Sequence, residues 1–204
     1  MQPIRDLHPS PETGDRKMTA VLEVSPRTDV ADDRLYEVVS GERREKSVGT
    51  RQNLIAFRLG RLLVRYDPEE KLGYAVIENL FLLDTVSDLQ RRPDFAFVSR
   101  ERWPGLPPNS NAWDVVPDWM VEIVSPSNSA DEVIDKVDEY FRAGTRLVWV
   151  IFPSAQQVYV YTSPTGVTVH KTTDELTAAP VLPSLRLAAH ALFDGISVPA
   201  NRAS

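Results

Sequence analysis

The sequence predicts a mixed α/β fold of the α+β kind, in which a central mixed β-sheet is flanked by helices. Three patterns predict it. Residues 118–125, 130–143 and 146–152 form a strand–helix–strand unit, a second helical pattern spans 48–66, and short apolar runs lie between them. The last strand of the unit is apolar after its first residue, which is typical of a strand covered on both faces. Strands and helices in this order favour a sheet with helices packed against it.

Length and composition indicate one folded domain of ordinary type. The chain has 204 residues, of which 42% are apolar and 25% charged, as in a globular protein with a core. Residues 1–17 are polar, contain three prolines and show no periodicity, so we expect a disordered leader there. A single domain is predicted over 18–198, followed by a flexible tail over 199–204.

Several classes of site are disfavoured by residues that the chain lacks. Without Cys, neither a disulfide nor a thiolate metal site can form. The three histidines, His8, His170 and His190, are scattered, so a histidine zinc site or a Ser-His-Asp triad is not expected. No apolar stretch reaches the roughly 18 residues that span a bilayer, and no signal peptide is recognisable. We therefore predict a cytoplasmic protein without a membrane partner.

The charge distribution leaves the question of a nucleic-acid partner open. The net charge of −6 argues mildly against one, because contacts to phosphates need cations. Basic residues nevertheless outnumber acidic ones between Arg43 and Arg102, which allows a basic face on an acidic protein. One side of the helical pattern over 48–66 carries Arg51, Arg58, Arg61 and Arg65. These arginines form either a solvated face or a contact to DNA.

Strands are predicted on both sides of this first helix. Residues 35–42 are typical of a strand that enters a turn at Gly41. The apolar runs 74–77 and 80–83 predict two strands joined by a short turn near Asn79.

The second helix has the clearest ends. Ser129 and Glu132 form a capping-box pattern, and Gly144 stands where a left-handed C-terminal cap belongs. The predicted core stripe of this helix consists of Val133, Ile134, Val137, Tyr140 and Phe141. Further on, residues 158–162 and 167–171 predict a closing hairpin.

Three charged residues lie in elements that are predicted to be buried. Asp94 begins the apolar strand 94–98, Glu122 lies inside another strand, and Lys136 lies on the following helix. A charge in a buried strand costs several kcal/mol unless it is paired or binds a metal. Carboxylate oxygens are the ligands of Mg²⁺, and phosphodiester hydrolysis also uses a cation near the attacking water. The three residues therefore indicate a divalent-metal phosphodiesterase site.

Each of these residues has a structural alternative. Asp94 could be a surface residue at the end of a strand. Lys136 could pair with Glu132 or Glu139, which lie one turn away on the same helix. Glu122, in the middle of a strand, is harder to explain without a function.

Four motifs occur in order along the chain. They are Tyr36-Glu37-Val38-Val39-Ser40-Gly41-Glu42, Arg92-Pro93-Asp94-Phe95, Pro117-Asp118-Trp119-Met120-Val121-Glu122-Ile123-Val124-Ser125-Pro126, and Lys136…Tyr140…Ala143-Gly144…Val148-Trp149-Val150. Over residues 19–195 this ordered set resembles the Uma-type putative restriction endonuclease family of the PD-(D/E)XK nuclease superfamily. The resemblance implies a restriction-endonuclease-like core, which is a central mixed β-sheet flanked by helices.

The resemblance also implies a catalytic metal site. Asp94 and Glu122 would bind Mg²⁺, for which Mn²⁺ can substitute, and the backbone carbonyl of Ile123 would complete the protein ligands. The superfamily usually has a lysine two residues after the glutamate, where this chain has Val124. The family places that lysine on the next helix, which matches Lys136.

A further carboxylate and two departures accompany the resemblance. Glu37 would be an accessory acid near the metal, although it could equally be a strand residue that faces solvent. Residues 47–51 lack the histidine that the family commonly has at the start of its first long helix. The family's Asp-Pro after its Trp-containing strand appears here as Phe152-Pro153.

The leading hypothesis is therefore a Mg²⁺-dependent endonuclease that hydrolyses DNA and forms a homodimer. A catalytically silent nuclease scaffold, acting as an oligomeric or partner-binding module, is the alternative, and the acidic net charge favours it slightly. A hydrolase of RNA or of a nucleotide phosphodiester would use the same residues.

Overall fold

Residues 34–105 and 112–196 are described by the computed structural model, and they form two α-helices and three β-sheets. The elements in chain order are β1 Tyr36–Val39, β2 Glu42–Glu45, α1 Thr50–Tyr66, β3 Gly73–Ile77, β4 Phe81–Asp84, β5 Leu89–Arg91, β6 Phe95–Ser99, β7 Trp119–Ile123, α2 Ala130–Ala143, β8 Leu147–Phe152, β9 Gln157–Ser163, β10 Gly166–Lys171, β11 Glu175–Ala178 and β12 Leu182–Ala188, followed by a 3-10 helix Ala189–Leu192. The predicted leader 1–17 and tail 199–204 lie outside these residues, so the domain limits stay a prediction.

A six-stranded mixed sheet forms the centre, in the order β10-β9-β8-β7-β6-β3. β7 and β8 pair in parallel, and the other neighbouring strands of this sheet pair antiparallel. α2 connects β7 to β8, because two adjacent parallel strands need a crossover rather than a tight turn. The predicted mixed sheet flanked by helices is confirmed.

Side chains that follow one another along the central strands enter two different cores, because they alternate between the faces of the sheet. Trp119 and Val121 of β7 belong to the same core cluster as Leu59 of α1. Met120 of β7 belongs to the other cluster, together with Val137 of α2. The even-numbered residues of β7 therefore face α2.

A second sheet has four strands, in the order β2-β1-β5-β4. The apolar runs 74–77 and 80–83 both form strands, as predicted, yet they do not pair with each other. β3 pairs with β6 of the central sheet, whereas β4 pairs with β5. Since β5 has only three residues, it is too short to give a periodic signal in the sequence.

The ends of α2 agree with the predicted caps, but its buried stripe is narrower than predicted. The Ser129 hydroxyl accepts a hydrogen bond from the Glu132 N–H, the Glu132 carboxylate accepts one from the Ser129 N–H, and Gly144 is left-handed with φ 106°. Ile134 is 54% exposed, so its predicted place in the core is wrong, because only one narrow side of α2 meets the sheet. Among the described residues no helix has the length and apolarity that crossing a membrane requires.

Asp118, which directly precedes β7, is fully buried and joins three segments of the chain. Its Oδ2 accepts a hydrogen bond of 2.8 Å from the Ser99 N–H. Its Oδ1 lies 3.1 Å from Arg102 Nε and 2.8 Å from Arg146 Nη2. These contacts give Asp118 a buried structural role.

We predict that Asp118→Ala lowers the free energy of unfolding by about 2 kcal/mol or more, since the Ser99 N–H loses its acceptor and two guanidinium groups lose their counter-ion. Urea denaturation monitored by tryptophan fluorescence measures the change. The matched control is Asp114→Ala, an exposed residue just before β7, which should shift stability by about 0.5 kcal/mol or less. Equal losses in the two variants would contradict the structural role of Asp118.

Candidate active site

Asp94 and Glu122 lie side by side at one end of the central sheet. In the pairing of β6 with β7, Phe95 stands opposite Val121, so continuing the register by one residue brings Asp94 opposite Glu122. Phe95 and Val121 face the core on the α1 side. Because side chains alternate along a strand, both carboxylates face the α2 side. Both residues are buried.

The Asp94 carboxylate ends the ladder between β6 and β7. Its Oδ2 accepts a hydrogen bond from the Ile123 N–H, which would otherwise need a backbone carbonyl from a longer β6. Its Oδ1 lies 2.8 Å from the Nζ atom of Lys46. Asp94 is thus held by β7 on one side and by a lysine that follows β2 on the other.

Lys136 of α2 connects two carboxylates of different sheets. Its Nζ lies 3.1 Å from Glu122 Oε2 and 3.0 Å from Glu37 Oε1. The Tyr140 hydroxyl, one turn further along α2, donates a hydrogen bond to Glu122 Oε1. Lys136 therefore reaches across to the sheets instead of pairing with an acidic neighbour on its own helix.

Glu37 of β1 is buried rather than solvent-facing. Its Oε2 lies 2.9 Å from Arg91 Nη1, and its Oε1 also accepts a hydrogen bond of 3.0 Å from the Arg92 N–H. Arg91 Nε lies 2.7 Å from Glu139 Oε2 on α2. Arg91 thus ties the end of β5 both to β1 and to α2.

Lys46 is a second lysine in the site, and it is as buried as Lys136. Its Nζ donates hydrogen bonds to three oxygens, at 2.8 Å to Asp94 Oδ1, 2.9 Å to Glu78 Oε2 and 2.6 Å to the backbone carbonyl of Arg92. Its side chain is 12% exposed, against 13% for Lys136. The ammonium group of Lys46 therefore lies in a shell of oxygen atoms.

Most of these groups line one open cleft with a volume of about 430 Å³. Its charged lining from the site comprises Glu37, Lys46, Arg91, Asp94, Glu122, Lys136 and Glu139. The cleft places two carboxylates from neighbouring strands and a lysine from the adjoining helix around a common space.

Burial and nearby charges shift the pKa values of the carboxylates in opposite directions. Burial raises the pKa of Glu122, and Lys136 offsets this only in part because the Asp94 carboxylate raises it further. Burial would also raise the pKa of Glu37, but Lys136 and Arg91 outweigh it and lower that pKa. The pKa of Lys136 is raised despite burial, since Glu122 and Glu37 both favour its charged form. Lys136 is therefore a permanent cation, while Glu122 binds a proton more readily than an ordinary glutamate.

Glu78 and Lys46 respond differently although they form an ion pair. Burial raises the pKa of Glu78 to about 7; Lys46 opposes this shift, and the Asp94 carboxylate adds to it. Burial would lower the pKa of Lys46, but Asp94, Glu122 and Glu78 together raise it. The pKa of Glu78 and the pKa of Lys46 are both raised because Asp94 and Glu78 share the Lys46 ammonium. A single positive charge cannot neutralise both carboxylates.

Comparison with known families identifies the group to which the chain is related. The family model described as Uma2, putative restriction endonuclease, matches residues 22–190. The chain belongs to the Uma2 family. The match includes every residue that lines the cleft, and it confirms the resemblance that the ordered motifs predicted.

A solved structure shares the fold of this Uma2 chain. It is the crystal structure of a putative nuclease belonging to DUF820 from Anabaena variabilis ATCC 29413, with a TM-score of 0.68 and 21% sequence identity. The match covers 78% of this chain and 89% of that chain. No curated protein matches the chain. The structural likeness confirms the predicted fold class.

Nucleases of the restriction type use divalent metals, and the donors in the cleft suit a hard cation. The Lys46 ammonium is already surrounded by carboxylate and carbonyl oxygens, the ligand types that Mg²⁺ prefers. In residues 34–105 and 112–196, no three His, Asp or Glu side chains converge as a ready-made metal cage. Instead, Lys46 and Lys136 lie between the carboxylates and pair with them.

The sequence had singled out Glu37, Asp94, Glu122 and Lys136, and the structure brings all four to one cleft. Ile123, predicted to contribute its carbonyl, also lines the cleft, and its N–H bonds to Asp94. These positions agree with the predicted site. The roles of the residues stay a prediction.

Sequence reasoning missed Lys46, Glu78 and Arg91 as parts of the site, and it placed Tyr140 only in the core. Lys46 and Glu78 follow short strands, where a charged residue normally faces solvent, so no local pattern distinguishes them. A signal for Tyr140 existed, because it stands four residues after Lys136 on the same helix and shares its face.

We predict a pH-dependent stability difference between the metal-free protein and Glu78→Gln. A folded-state pKa of about 7 against an ordinary 4.5 means that the folded protein binds this proton more tightly. The resulting stabilisation is fully present below pH 4.5 and is lost as the pH rises to about 7, by up to about 1.4 kcal/mol per pH unit. Glu78→Gln has no carboxyl group at this position. The free energy of unfolding of the variant minus that of the wild type should therefore increase between pH 4.5 and about 7.

Urea denaturation in the presence of a chelator, at several pH values from 4.5 to 8, tests this. The control is Glu69→Gln, an exposed residue of the preceding loop, whose difference from the wild type should not follow this course. A flat difference for Glu78→Gln, or one of opposite slope, would contradict a raised pKa.

Proposed function

We propose that the chain is a Mg²⁺-dependent endonuclease that hydrolyses DNA, with Mn²⁺ able to replace Mg²⁺. The observation that carries the proposal is the meeting of Asp94, Glu122 and Lys136 at one cleft. Membership of the Uma2 family supports it, as does the likeness to a protein described as a putative nuclease.

In this proposal Asp94 and Glu122 hold the metal, and the backbone carbonyl of Ile123 completes the protein ligands. That carbonyl lies on the same edge of β7 as the Ile123 N–H, which bonds to Asp94. When bound, Mg²⁺ polarises the phosphate and lowers the pKa of a coordinated water.

The other groups of the cleft provide and orient positive charge. Lys136 stabilises the negative charge that develops on the phosphate, which is the role of a fixed cation in a largely buried site. Glu37 positions Lys136 through the 3.0 Å contact to its Nζ, and Arg91 holds Glu37 from the other side. The Tyr140 hydroxyl orients the Glu122 carboxylate.

DNA is the proposed substrate because the cleft is open and an exposed arginine is part of its lining. Every residue of β2 is exposed, and its Arg44 lines the cleft, where it can contact a phosphate. We also propose that the protein forms a homodimer and is cytoplasmic.

A catalytically silent scaffold that binds a partner is the second candidate, and one observation favours it. All four carboxylate oxygens of Asp94 and Glu122 already have a partner within the chain. Such a scaffold would show no saturable Mn²⁺ binding that depends on Glu122. Hydrolysis of RNA or of a nucleotide would use the same groups as hydrolysis of DNA.

We predict that Asp94→Asn and Glu122→Gln each abolish Mg²⁺-dependent cleavage of supercoiled plasmid DNA, since each removes a charged metal ligand. Agarose gels over a time course, with a chelator reaction beside them, measure the cleavage. Asp131→Asn, an exposed position in the first turn of α2, is the control and should cleave like the wild type. Unchanged cleavage by both site variants would refute the assignment. Cleavage of RNA but not of DNA would show that the substrate is RNA.

Lys136→Met should separate metal binding from catalysis. Removing a cation that stabilises the transition state should slow plasmid cleavage by about a hundredfold or more. Mn²⁺ binding, followed by calorimetry, should persist because the carboxylates remain. Lys71→Met, at an exposed lysine, is the control. An unchanged cleavage rate, with a native circular dichroism spectrum, would exclude a catalytic role for Lys136.

A further inference from the structure

The Lys46 ammonium occupies a position that has the chemistry of a cation site. Its three acceptors are a carboxylate oxygen of Asp94, a carboxylate oxygen of Glu78 and the backbone carbonyl of Arg92, all between 2.6 and 2.9 Å away. Carboxylate and carbonyl oxygens are the donors that divalent cations of the Mg²⁺ type bind. The same three oxygens would therefore suit a metal ion if the lysine moved away.

Glu78 is held in this position by an unusual backbone conformation. It lies in the left-handed region with φ 51°, which costs an L-residue with a side chain about 1 kcal/mol. The Arg92 guanidinium donates a hydrogen bond to the Glu78 carbonyl, and this contact helps to fix the turn. The Glu78 carboxylate that contacts Lys46 is thus held by a strained backbone, and such strain is often found at functional sites.

The balance of charge also favours a divalent cation in place of the ammonium group. The ion pairs of the site link five carboxylates to three cations. The carboxylates are those of Glu37, Glu78, Asp94, Glu122 and Glu139, and the cations are Lys46, Arg91 and Lys136. Negative charge is therefore in excess, and a divalent ion in place of the Lys46 ammonium would reduce that excess.

Asp94 makes the two cations mutually exclusive. One of its oxygens bonds to the backbone of β7, and the other is 2.8 Å from Lys46. A metal ion at the usual distance of about 2.1 Å from that second oxygen would lie against the ammonium group and repel it.

We propose that Lys46 is the resident counter-cation of the metal site, that a divalent metal must displace it from Asp94, and that Glu78 then becomes an additional carboxylate ligand. This inference rests on the proposed metal site at Asp94 and Glu122. It assigns two residues that neither the sequence motifs nor the family resemblance singled out.

The proposal predicts that removing Lys46 and removing Glu78, which form one ion pair, change the metal affinity in opposite directions. Lys46→Met removes the competing charge and should bind Mn²⁺ about tenfold more tightly than the wild type. Glu78→Gln removes a charged ligand and should bind Mn²⁺ about tenfold more weakly. A purely structural ion pair predicts effects of the same sign, because losing either partner would loosen the same part of the cleft.

Isothermal titration calorimetry of the metal-free, full-length chain with Mn²⁺ at one fixed pH measures whether each variant gains or loses affinity. Lys71→Met controls for the loss of a surface lysine and should keep the wild-type affinity. Lys46→Gln is a second variant in case Lys46→Met does not fold, as judged by circular dichroism. Thermal unfolding gives an independent readout, since Mn²⁺ should raise the melting temperature of Lys46→Met more than that of the wild type.

The outcomes distinguish this inference from the proposed function. If the wild type binds Mn²⁺ and Asp94→Asn does not, but the Lys46 variants show no gain in affinity, the inference fails and the metal site stands. An unchanged or increased affinity of Glu78→Gln likewise overturns the role of Glu78. If neither the wild type nor any Lys46 variant binds Mn²⁺, the metal site itself fails and the inference fails with it.

Discussion

The pairing of buried carboxylates with cations from distant parts of the chain is the constraint on which this structure depends. Glu37, Asp94 and Glu122 are all buried, and a buried charge is tolerated only when opposite charges and hydrogen bonds compensate its loss of water. Their partners are Lys46, which follows β2, and Lys136 on α2. The ion pairs therefore connect the four-stranded sheet to the central sheet and to α2. The two sheets and α2, which make up much of the fold, also form the cleft.

The alternation of side chains along β6 and β7 decides that these charges meet. One set of residues, which includes Trp119 and Trp149, packs on the α1 side, and the other set faces α2. A shift of β7 by one residue would turn Glu122 toward the aromatic core and Trp119 toward the α2 side of the sheet. Because the packing of large aromatic rings strongly disfavours such a shift, the core fixes the geometry of the site.

Asp118 and Glu122 lie at the two ends of the same strand and show how surroundings separate a structural acid from a candidate functional one. Asp118 is inaccessible and is paired with Arg102 and Arg146. Guanidinium groups stay protonated and hold a carboxylate in a rigid geometry. Glu122 lies at an open cleft, where it meets the flexible amine of Lys136, and burial raises its pKa. Only the second arrangement leaves an acid whose partners can change during a reaction.

The sequence by itself determined the elements that local patterns report. The caps and period of α2, the apolar run of β8 and the isolated charges at Glu122 and Lys136 all follow from spacing within a few residues. Tertiary structure alone decided that Lys46 meets Glu78, 32 residues away, and that Ile134 lies outside the core. Such contacts depend on strand order and on how short strands such as β5 pair. Those choices arise from the packing of whole sheets, because no segment of the chain carries enough local information to specify them.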